Sequence, residues 1–204
     1  EEKIASGRWA VKGYREDGSK IVVETGGKLT RATTVWSETS YDAKTYGTVL
    51  LKNIVGDARF SFPKSLYSVH DSLKYFVDEK PNALILDFFA GSGTTLQAVN
   101  LLNAEDGGHR RCIMVTNNEV SADEAKMLKD KGYQPGDEEW EKLGIANYVT
   151  WPRTVCSIKG QDVNGNPLKG DYLGSEPPMH MADGFKANAA FFKLGFLDPT
   201  AVSL

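Results

Sequence analysis

The sequence predicts an α/β fold, in which an N-terminal β meander precedes part of a doubly wound parallel sheet. Two short apolar runs alternate with two segments of helical periodicity between residues 84 and 132. A glycine turn joins the first apolar run to the first helical segment. Near the N-terminus, Asp17-Gly18 separates two β-rich segments and signals a hairpin. The order strand–helix–strand–helix is that of a βαβ unit, from which such a sheet begins.

The segments before the glycine turn are assigned in chain order. Residues 8–36 are predicted to form the meander, with strands in RWAVKGY, KIVVET and KLTRATTVW. A helix is expected to follow and to end at Gly56, which stands where a left-handed residue belongs. A second helix is expected after Pro63. Their apolar positions recur at helical spacing: Tyr46, Leu50 and Ile54 in the first, and Leu66, Val69, Leu73 and Phe76 in the second.

The two apolar runs are predicted to be buried strands. Residues 84–88 and the run CIMVT have no polar alternation, which is typical of parallel strands that are covered on both faces. Leu96, Val99 and Leu102 mark the helix between them, and Ser121 and Glu124 form a capping box at the start of the next helix. Residues 133–160 are expected to be mostly helical. The rest is turn-rich, with one more strand expected in FFKLGFL.

Composition excludes few functions. The net charge of −3 and the pI near 5.7 give no sign of a nucleic-acid binder, although a basic face can lie within an acidic total. Cys112 and Cys156 are expected to be buried free thiols of a cytoplasmic protein. Scattered histidines and the lack of a CxxC pair argue against a metal site. His70 is expected to be a half-buried helix residue, and the basic patch HRRC at 109–112 is expected to be a solvated turn. No apolar run reaches the roughly 18 residues of a membrane span. Because the chain begins EEKIASGRWA, we expect a piece of a longer protein.

The turn Gly91-Ser92-Gly93 predicts a ligand cradle, because a strand that feeds a helix through glycines leaves backbone N–H groups facing a crevice. Glycine in such a turn also serves only to pack helix on strand. Leu96 stands where a dinucleotide fingerprint has its third glycine, and no P-loop is present. Asp87 before the turn repels a pyrophosphate but suits an ammonium group. Glu119, or Asn117 or Asn118 beside it, is placed to bind a ribose diol. Together these features favour S-adenosylmethionine (AdoMet) over NAD or ATP.

These motifs resemble those of a known family. DFFAGSGTT resembles motif I of the amino-group DNA methyltransferases, and FPKSLYSVHDSL resembles their motif X. Their order resembles the β class, above all the modification subunits of type III restriction–modification systems. The resemblance runs from about residue 33 to about residue 160. It implies a Rossmann-like AdoMet-dependent methyltransferase core over residues 43–160. Residues 1–42 would be a β-rich segment returning from a target-recognition region, and residues 161–204 a turn-rich C-terminal segment.

The resemblance also implies a role for each residue of the site. Asp87 would receive the methionine amine, and Glu119 would bind the ribose. Lys64 and Ser65 would reach the methionine carboxylate. Their simpler interpretations stay open: Lys64 as a solvated lysine, Ser65 as a helix N-cap and Glu119 as an exposed acid near a helix start. The glycine turn itself would line and cap the cofactor through Phe88, Phe89, Ala90, Gly91, Ser92, Gly93 and Thr94.

The catalytic motif of the family is absent. These enzymes flip the target base out of the duplex and hold its amine with a D/N-P-P-Y/F tetrapeptide. The nearest string, Glu176-Pro177-Pro178-Met179, is interpreted as a loop. We therefore expect no catalytic residue in this chain, which would be inactive alone. The intact protein would methylate adenine N6, rather than cytosine N4, in double-stranded DNA, beside a restriction subunit or a second copy. Two alternatives are a non-catalytic AdoMet-binding module and an unrelated nucleotide-binding domain.

Overall fold

The structure, a computed structural model, describes residues 9–24, 34–57 and 59–194. It divides into two compact units, residues 1–36 and 37–204. The first predicted boundary lies after residue 42 instead, and the division into three segments stays a prediction. The strands are β1 (Trp9–Tyr14), β2 (Lys20–Glu24), β3 (Leu84–Asp87), β4 (Arg111–Met114), β5 (Asp171–Tyr172) and β6 (Met179–His180). The α-helices are α1 (Leu50–Val55), α2 (Leu66–Val77), α3 (Thr94–Asp106), α4 (Ala122–Asp130), α5 (Glu138–Glu141) and α6 (Trp151–Lys159).

Short helical turns of other kinds complete the set. Thr39–Tyr41 and Met181–Asp183 are 3-10 helices, and Lys44–Val49 and Ala146–Thr150 are π-helical. The predicted helix before Gly56 is therefore confirmed, as a π-helical turn that continues into α1. Within the described residues, no helix has the length and apolar content needed to span a membrane.

The first unit contains the predicted hairpin. β1 and β2 pair antiparallel, with Tyr14 opposite Lys20. Gly18 has a φ of 77°, and its N–H donates to the Arg15 carbonyl, which closes the turn. The third predicted strand is not confirmed: residues 34–36 are not in a strand, and residues 25–33 lie outside the described part of the chain.

The second unit contains the predicted strand–helix–strand–helix order. β3 and β4 pair parallel, with Leu84 opposite Arg111 and Asp87 opposite Met114, and α3 connects them. α3 packs against both β4 and α2. The next helix, α4, begins at the predicted cap, where the Ser121 hydroxyl accepts a hydrogen bond from the Glu124 N–H. The α/β class is thus observed as one parallel pair with its helices.

The prediction that these strands are covered on both faces is wrong. Leu84 is 56% exposed, Leu86 51% and Ile113 49%, whereas Ile85 and Cys112 are half-buried. An apolar run indicates that a strand is suited to burial, but it does not say whether a second layer is present. Cys112 is accordingly only half-buried, and of the two free thiols Cys156 alone is buried as expected.

The core lies among the helices rather than around the strand pair. Leu51, Ile54, Leu66 and Leu101 are at most 1% exposed and form its centre, from α1, α2 and α3. The turn-rich C-terminal segment also contributes, through Leu168, Tyr172, Met181 and Phe185. Residues 133–160 are mostly helical, as predicted. Of the strand predicted in FFKLGFL, residues 191–194 have no regular structure and the remainder lies outside the described ranges. Met179 of the predicted loop begins β6.

Two side chains are more buried than the sequence suggested. Arg110 belongs to a basic patch that was expected to be a solvated turn, yet it is 4% exposed. Its guanidinium donates to the carbonyls of Val77 and Asp78 at 2.9 and 3.1 Å and to Asp106 at 2.8 Å, so it binds the C-terminal end of α2. His70, expected to be half-buried, is 5% exposed.

Candidate cofactor site

The glycine turn is fastened to the loop that follows β4. The Asp87 carbonyl accepts from the Val115 N–H at 2.7 Å, and the Ala90 N–H donates to the Val115 carbonyl at 3.1 Å. The Gly93 N–H closes the turn on the Ala90 carbonyl at 2.8 Å. The carboxyl ends of both parallel strands therefore meet at one edge, where α/β proteins bind ligands.

Glycine is needed twice in this turn. Gly91 has a φ of 49° and Gly93 a φ of 77°, conformations that other residues adopt only with strain. A Cβ on Gly91 would lie 3.0 Å from Phe60 Cζ, and one on Gly93 would lie 3.2 Å from Thr150 Cγ2. The turn is thus held tightly between Phe60 on one side and Thr150 on the other.

Asp87 is oriented by its own turn. Its Oδ1 accepts from the Phe89 N–H at 3.0 Å and its Oδ2 from the Thr95 hydroxyl at 2.6 Å. No Lys, Arg or His of the described ranges forms an ion pair with it. A half-buried carboxylate that is fixed by neutral donors keeps its negative charge available for a cationic ligand group.

The side chains of the turn fall into an exposed pair, followed by a buried set. Phe88 and Phe89 are 61% and 91% exposed, whereas Ala90, Ser92 and Thr94 are buried. The two hydroxyls lie 3.1 Å apart and are engaged by a buried arginine, Arg153 of α6. Ser92 and Thr94 therefore offer a ligand their backbone, not their side chains.

Two residues that support the turn, Thr150 and Arg153, are not among those predicted from the sequence. The Thr150 hydroxyl donates to the Gly91 carbonyl at 2.5 Å, and the Arg153 guanidinium contacts Ser92 and Thr94. One signal was present in the sequence. Arg153 falls on a helical stripe with Val149 and Cys156, and a charge among apolar positions indicates a buried partner.

The predicted ribose-binding position lies in the loop after β4. Glu119 is exposed, and its Oε1 accepts from Asn117 Nδ2 at 3.4 Å. Asn118 is occupied elsewhere, because its Nδ2 donates to the carbonyl and the carboxylate of Glu141 and its Oδ1 accepts from the Asn147 N–H. Among the three alternatives, the side chains of Glu119 and Asn117 are thus the ones free to meet a ligand.

The predicted carboxylate-binding pair is divided. Lys64 is exposed, whereas Ser65 is 2% exposed and acts as the N-cap of α2. The Ser65 hydroxyl accepts from the N–H groups of Tyr67 and Ser68 and donates to the Ser40 carbonyl at 2.7 Å. The structure therefore gives Ser65 a capping role, and the role of the exposed Lys64 stays a prediction.

A cavity of about 290 Å³ lies beside the turn. Phe60, whose ring packs on Gly91, lines it, and so does Glu119. At its edge Arg59 lies 3.7 Å from the centre of the Tyr148 ring and pairs with Glu124. Most of the remaining lining is apolar: Phe62, Val120, Leu143, Ile145 and Val149. In the described part of the chain, no three His, Cys, Asp or Glu side chains lie close enough together to hold a metal ion.

Comparison with known proteins shows the family of the chain. Residues 6–157, more than half of the chain, match the DNA methylase family that groups N6 and N4 methyltransferases, and the chain belongs to that family. Similar proteins include the type III restriction–modification enzyme EcoPI Mod subunit of Escherichia phage P1, 38% identical over 49% of this chain and 15% of the relative.

Two further relatives show the same level of identity. The type II methyltransferase M.KpnI of Klebsiella pneumoniae is 38% identical over 53% of this chain and 23% of its own length. The type III StyLTI Mod subunit of Salmonella typhimurium is 38% identical over 42% of this chain and 13% of its own length. The chain thus matches less than a quarter of each of these relatives. The family resemblance seen in the motifs is confirmed.

Proposed function

We propose that this chain is the AdoMet-binding part of a site-specific DNA methyltransferase. The intact protein would methylate the exocyclic amine of adenine, rather than of cytosine, in double-stranded DNA within a restriction–modification system. One observation carries the proposal: Asp87, the glycine turn, Glu119 and an apolar cavity lie together at the carboxyl edge of a parallel strand pair. The relatives named as restriction–modification subunits support the biological setting.

The residues present fit AdoMet group by group. Asp87 would receive the ammonium group, and the exposed Lys64 would meet the carboxylate. Glu119 would accept from the ribose hydroxyls, and Asn117 would hold Glu119 in place. The cavity beside Phe60 is near the lower end of the range for ligand pockets, and it suits the flat, largely apolar adenine ring.

The chemistry asked of these residues is positioning. AdoMet supplies an activated methyl group. Gly91 and Gly93 allow backbone N–H groups to approach the ligand closely, and the carboxylate of Asp87 fixes the orientation of its amino acid part. A nucleophile and a methyl group that are held in line react far faster than free partners do, and no metal or covalent intermediate is required of this chain.

The wider fold is also part of the proposal. β3, α3 and β4 would be the first unit of a Rossmann-like sheet that other strands and helices complete in the intact protein. The exposed apolar residues Leu84, Leu86 and Ile113 support this, because a face of this kind is normally covered. The catalytic tetrapeptide would belong to the same missing part, with the restriction subunit or second copy binding the intact protein.

Calorimetric titration with AdoMet tests the cofactor. The chain should bind it saturably, and Asp87→Asn should weaken binding by about ten-fold or more, because a charge-assisted hydrogen bond is lost. Asp130→Asn, at the exposed C-terminal end of α4, is the matched control and should bind like the unmodified chain. If the folded chain does not bind AdoMet, the cofactor assignment is wrong. If it binds AdoMet and both variants bind equally well, the role given to Asp87 is wrong.

A methyl-transfer assay tests the missing motif. With radiolabelled AdoMet and unmethylated duplex DNA, this chain should transfer no label above background. Transfer by the purified chain would show that another residue does the work of the tetrapeptide, and would overturn the prediction of inactivity.

A further inference from the structure

We infer that Arg153 is the positioning residue of the glycine turn: its guanidinium, together with the Thr150 hydroxyl, holds Gly91–Thr94 in the shape that grips the amino acid part of AdoMet. The inference rests on the proposed function and extends it to α6. It names a residue outside both the glycine turn and the loop after β4.

The contacts of Arg153 converge on the turn. Its Nη1 donates to Thr94 Oγ1 at 2.7 Å, to Ser92 Oγ at 3.1 Å and to the Ser92 carbonyl at 3.3 Å. Its Nε donates to Gln97 Oε1 at 2.9 Å, one turn further along α3. One guanidinium thus ties together the last residues of the turn and the first turn of the helix.

Thr150 acts on the same turn from the same side. Its hydroxyl donates to the Gly91 carbonyl, and its methyl group lies against Gly93, 3.2 Å from the position that a Cβ would take. Residues three apart in a helix lie on one face, so Thr150 and Arg153 form a pair of donors aimed at the turn. Thr150 contacts Gly91 and Arg153 contacts Thr94, so the two donors hold both ends of this segment.

The burial of Arg153 is costly, which argues for a role beyond filling space. The side chain is 0% exposed, and each of its acceptors is neutral rather than a carboxylate. Nη2 is buried and has no hydrogen-bond partner among the described residues. A buried charge without a counter-charge destabilises a fold, and an apolar residue of similar size is often neutral or better at such a position. Burial also lowers the pKa of Arg153 to about 10.

The support reaches into the C-terminal segment. Gln97, which accepts from Arg153, donates through Nε2 to the Tyr172 hydroxyl at 3.3 Å. Tyr172 lies in β5 and packs against Phe185, with ring centres 5.2 Å apart. Tyr172 and Phe185 both lie beyond residue 157, where the family match ends. They are connected to the glycine turn through Gln97 and Arg153.

The test compares two buried arginines. Arg153→Met should weaken AdoMet binding by about ten-fold or more, since several hydrogen bonds from a charged donor are lost. Arg110→Met removes an equally buried arginine that contacts α2 and not the turn, and should leave the affinity of the folded protein unchanged. Adenosine, which lacks the amino acid part, should bind all three proteins equally well. Arg153→Lys should recover part of the AdoMet affinity.

Other results would overturn the inference. Equal AdoMet affinity in Arg153→Met and the unmodified chain would do so. Arg153 would have only a structural role if Arg153→Met and Arg110→Met lost the same AdoMet affinity. The same would follow if Arg153→Met lost as much affinity for adenosine as for AdoMet. If Arg153→Met does not fold, Thr94→Val removes its shortest hydrogen bond and should weaken AdoMet binding without affecting adenosine; unchanged AdoMet affinity would then count against the inference.

Hydrogen–deuterium exchange separates this inference from the proposed function. In the absence of ligand, the peptide over residues 87–97 should exchange about ten-fold faster in Arg153→Met than in the unmodified chain, while exchange in α2 should be unchanged. If Arg153→Met does not fold, the same comparison is made with Thr94→Val. If the unmodified chain does not bind AdoMet, the proposed function fails and this exchange result alone decides whether Arg153 holds the turn. Faster exchange throughout the molecule, or unchanged exchange in the turn, would refute the inference that Arg153 holds the turn.

Discussion

Replacement of His70 by glutamine should abolish a pH dependence of stability that the structure predicts. His70 Nδ1 lies 2.7 Å from Asp71 Oδ1, and Nε2 lies 3.0 Å from Glu105 Oε1, which joins α2 to α3. Burial by itself would lower the pKa of His70, but the hydrogen bonds and charges of the two carboxylates raise it from 6.5 to about 9. Tyr41 also donates to Asp71, and Lys74 contacts Glu105.

The magnitude follows from the size of this shift. Each pKa unit corresponds to about 1.4 kcal/mol, so the shift is equivalent to about 3 kcal/mol. Because the Asp71 side chain is 39% exposed, water screens part of the interaction, and about 2 kcal/mol is expected. The folded state binds the proton more tightly, so this stability is fully present below pH 6.5 and is lost as the pH rises through about 9.

Urea unfolding followed by circular dichroism at 222 nm, repeated from pH 6 to pH 9.5, measures the effect. The unmodified chain should lose stability over this interval, whereas His70→Gln should be weaker at pH 6 and nearly independent of pH. His180→Gln is the control, since the ion pair of His180 with Asp171 is exposed to water. A stability that is constant or rises between pH 6.5 and pH 9, or an unchanged slope in His70→Gln, would refute the reasoning.

Three further predictions concern the turn, the core and a thiol. Gly93→Ala should lower the free energy of unfolding by about 1–2 kcal/mol because of its positive φ, and by more because the new Cβ meets Thr150. Gly107→Ala, which has a similar φ and open space around it, should lose only about 1–2 kcal/mol, the cost of the φ. Urea unfolding measures both variants. Leu101→Ala, at a 0% exposed position, should lower the free energy of unfolding by about 2–5 kcal/mol. Leu84→Ala, at a 56% exposed position, should lower it much less. Equal losses in the two variants would contradict the described core. Burial raises the pKa of Cys112 to about 12, so iodoacetamide at pH 8 should modify it slowly in the folded chain and rapidly in urea; equal rates would contradict its burial.

The sequence by itself determined the local elements and the family. The hairpin signal, the helix caps and the apolar spacing depend on residues that are near one another in the chain. The predicted hairpin turn at Gly18 and the predicted helix ends at Gly56 and Ser121 are confirmed. The glycine turn and the acid before it were also visible, because a motif of this kind is contiguous. The same contiguity carried the resemblance to the amino-group DNA methyltransferases.

Only the tertiary structure decided what surrounds these elements. Whether Leu84 and Ile113 are covered depends on a second layer that an apolar run does not reveal. The burial of Arg110 and Arg153 depends on acceptors dozens of residues away, the Val77 carbonyl for one and the Ser92 and Thr94 hydroxyls for the other. Local patterns report the preferences of a segment, whereas a buried charge is tolerated only where distant groups satisfy it, and that is settled when the chain folds.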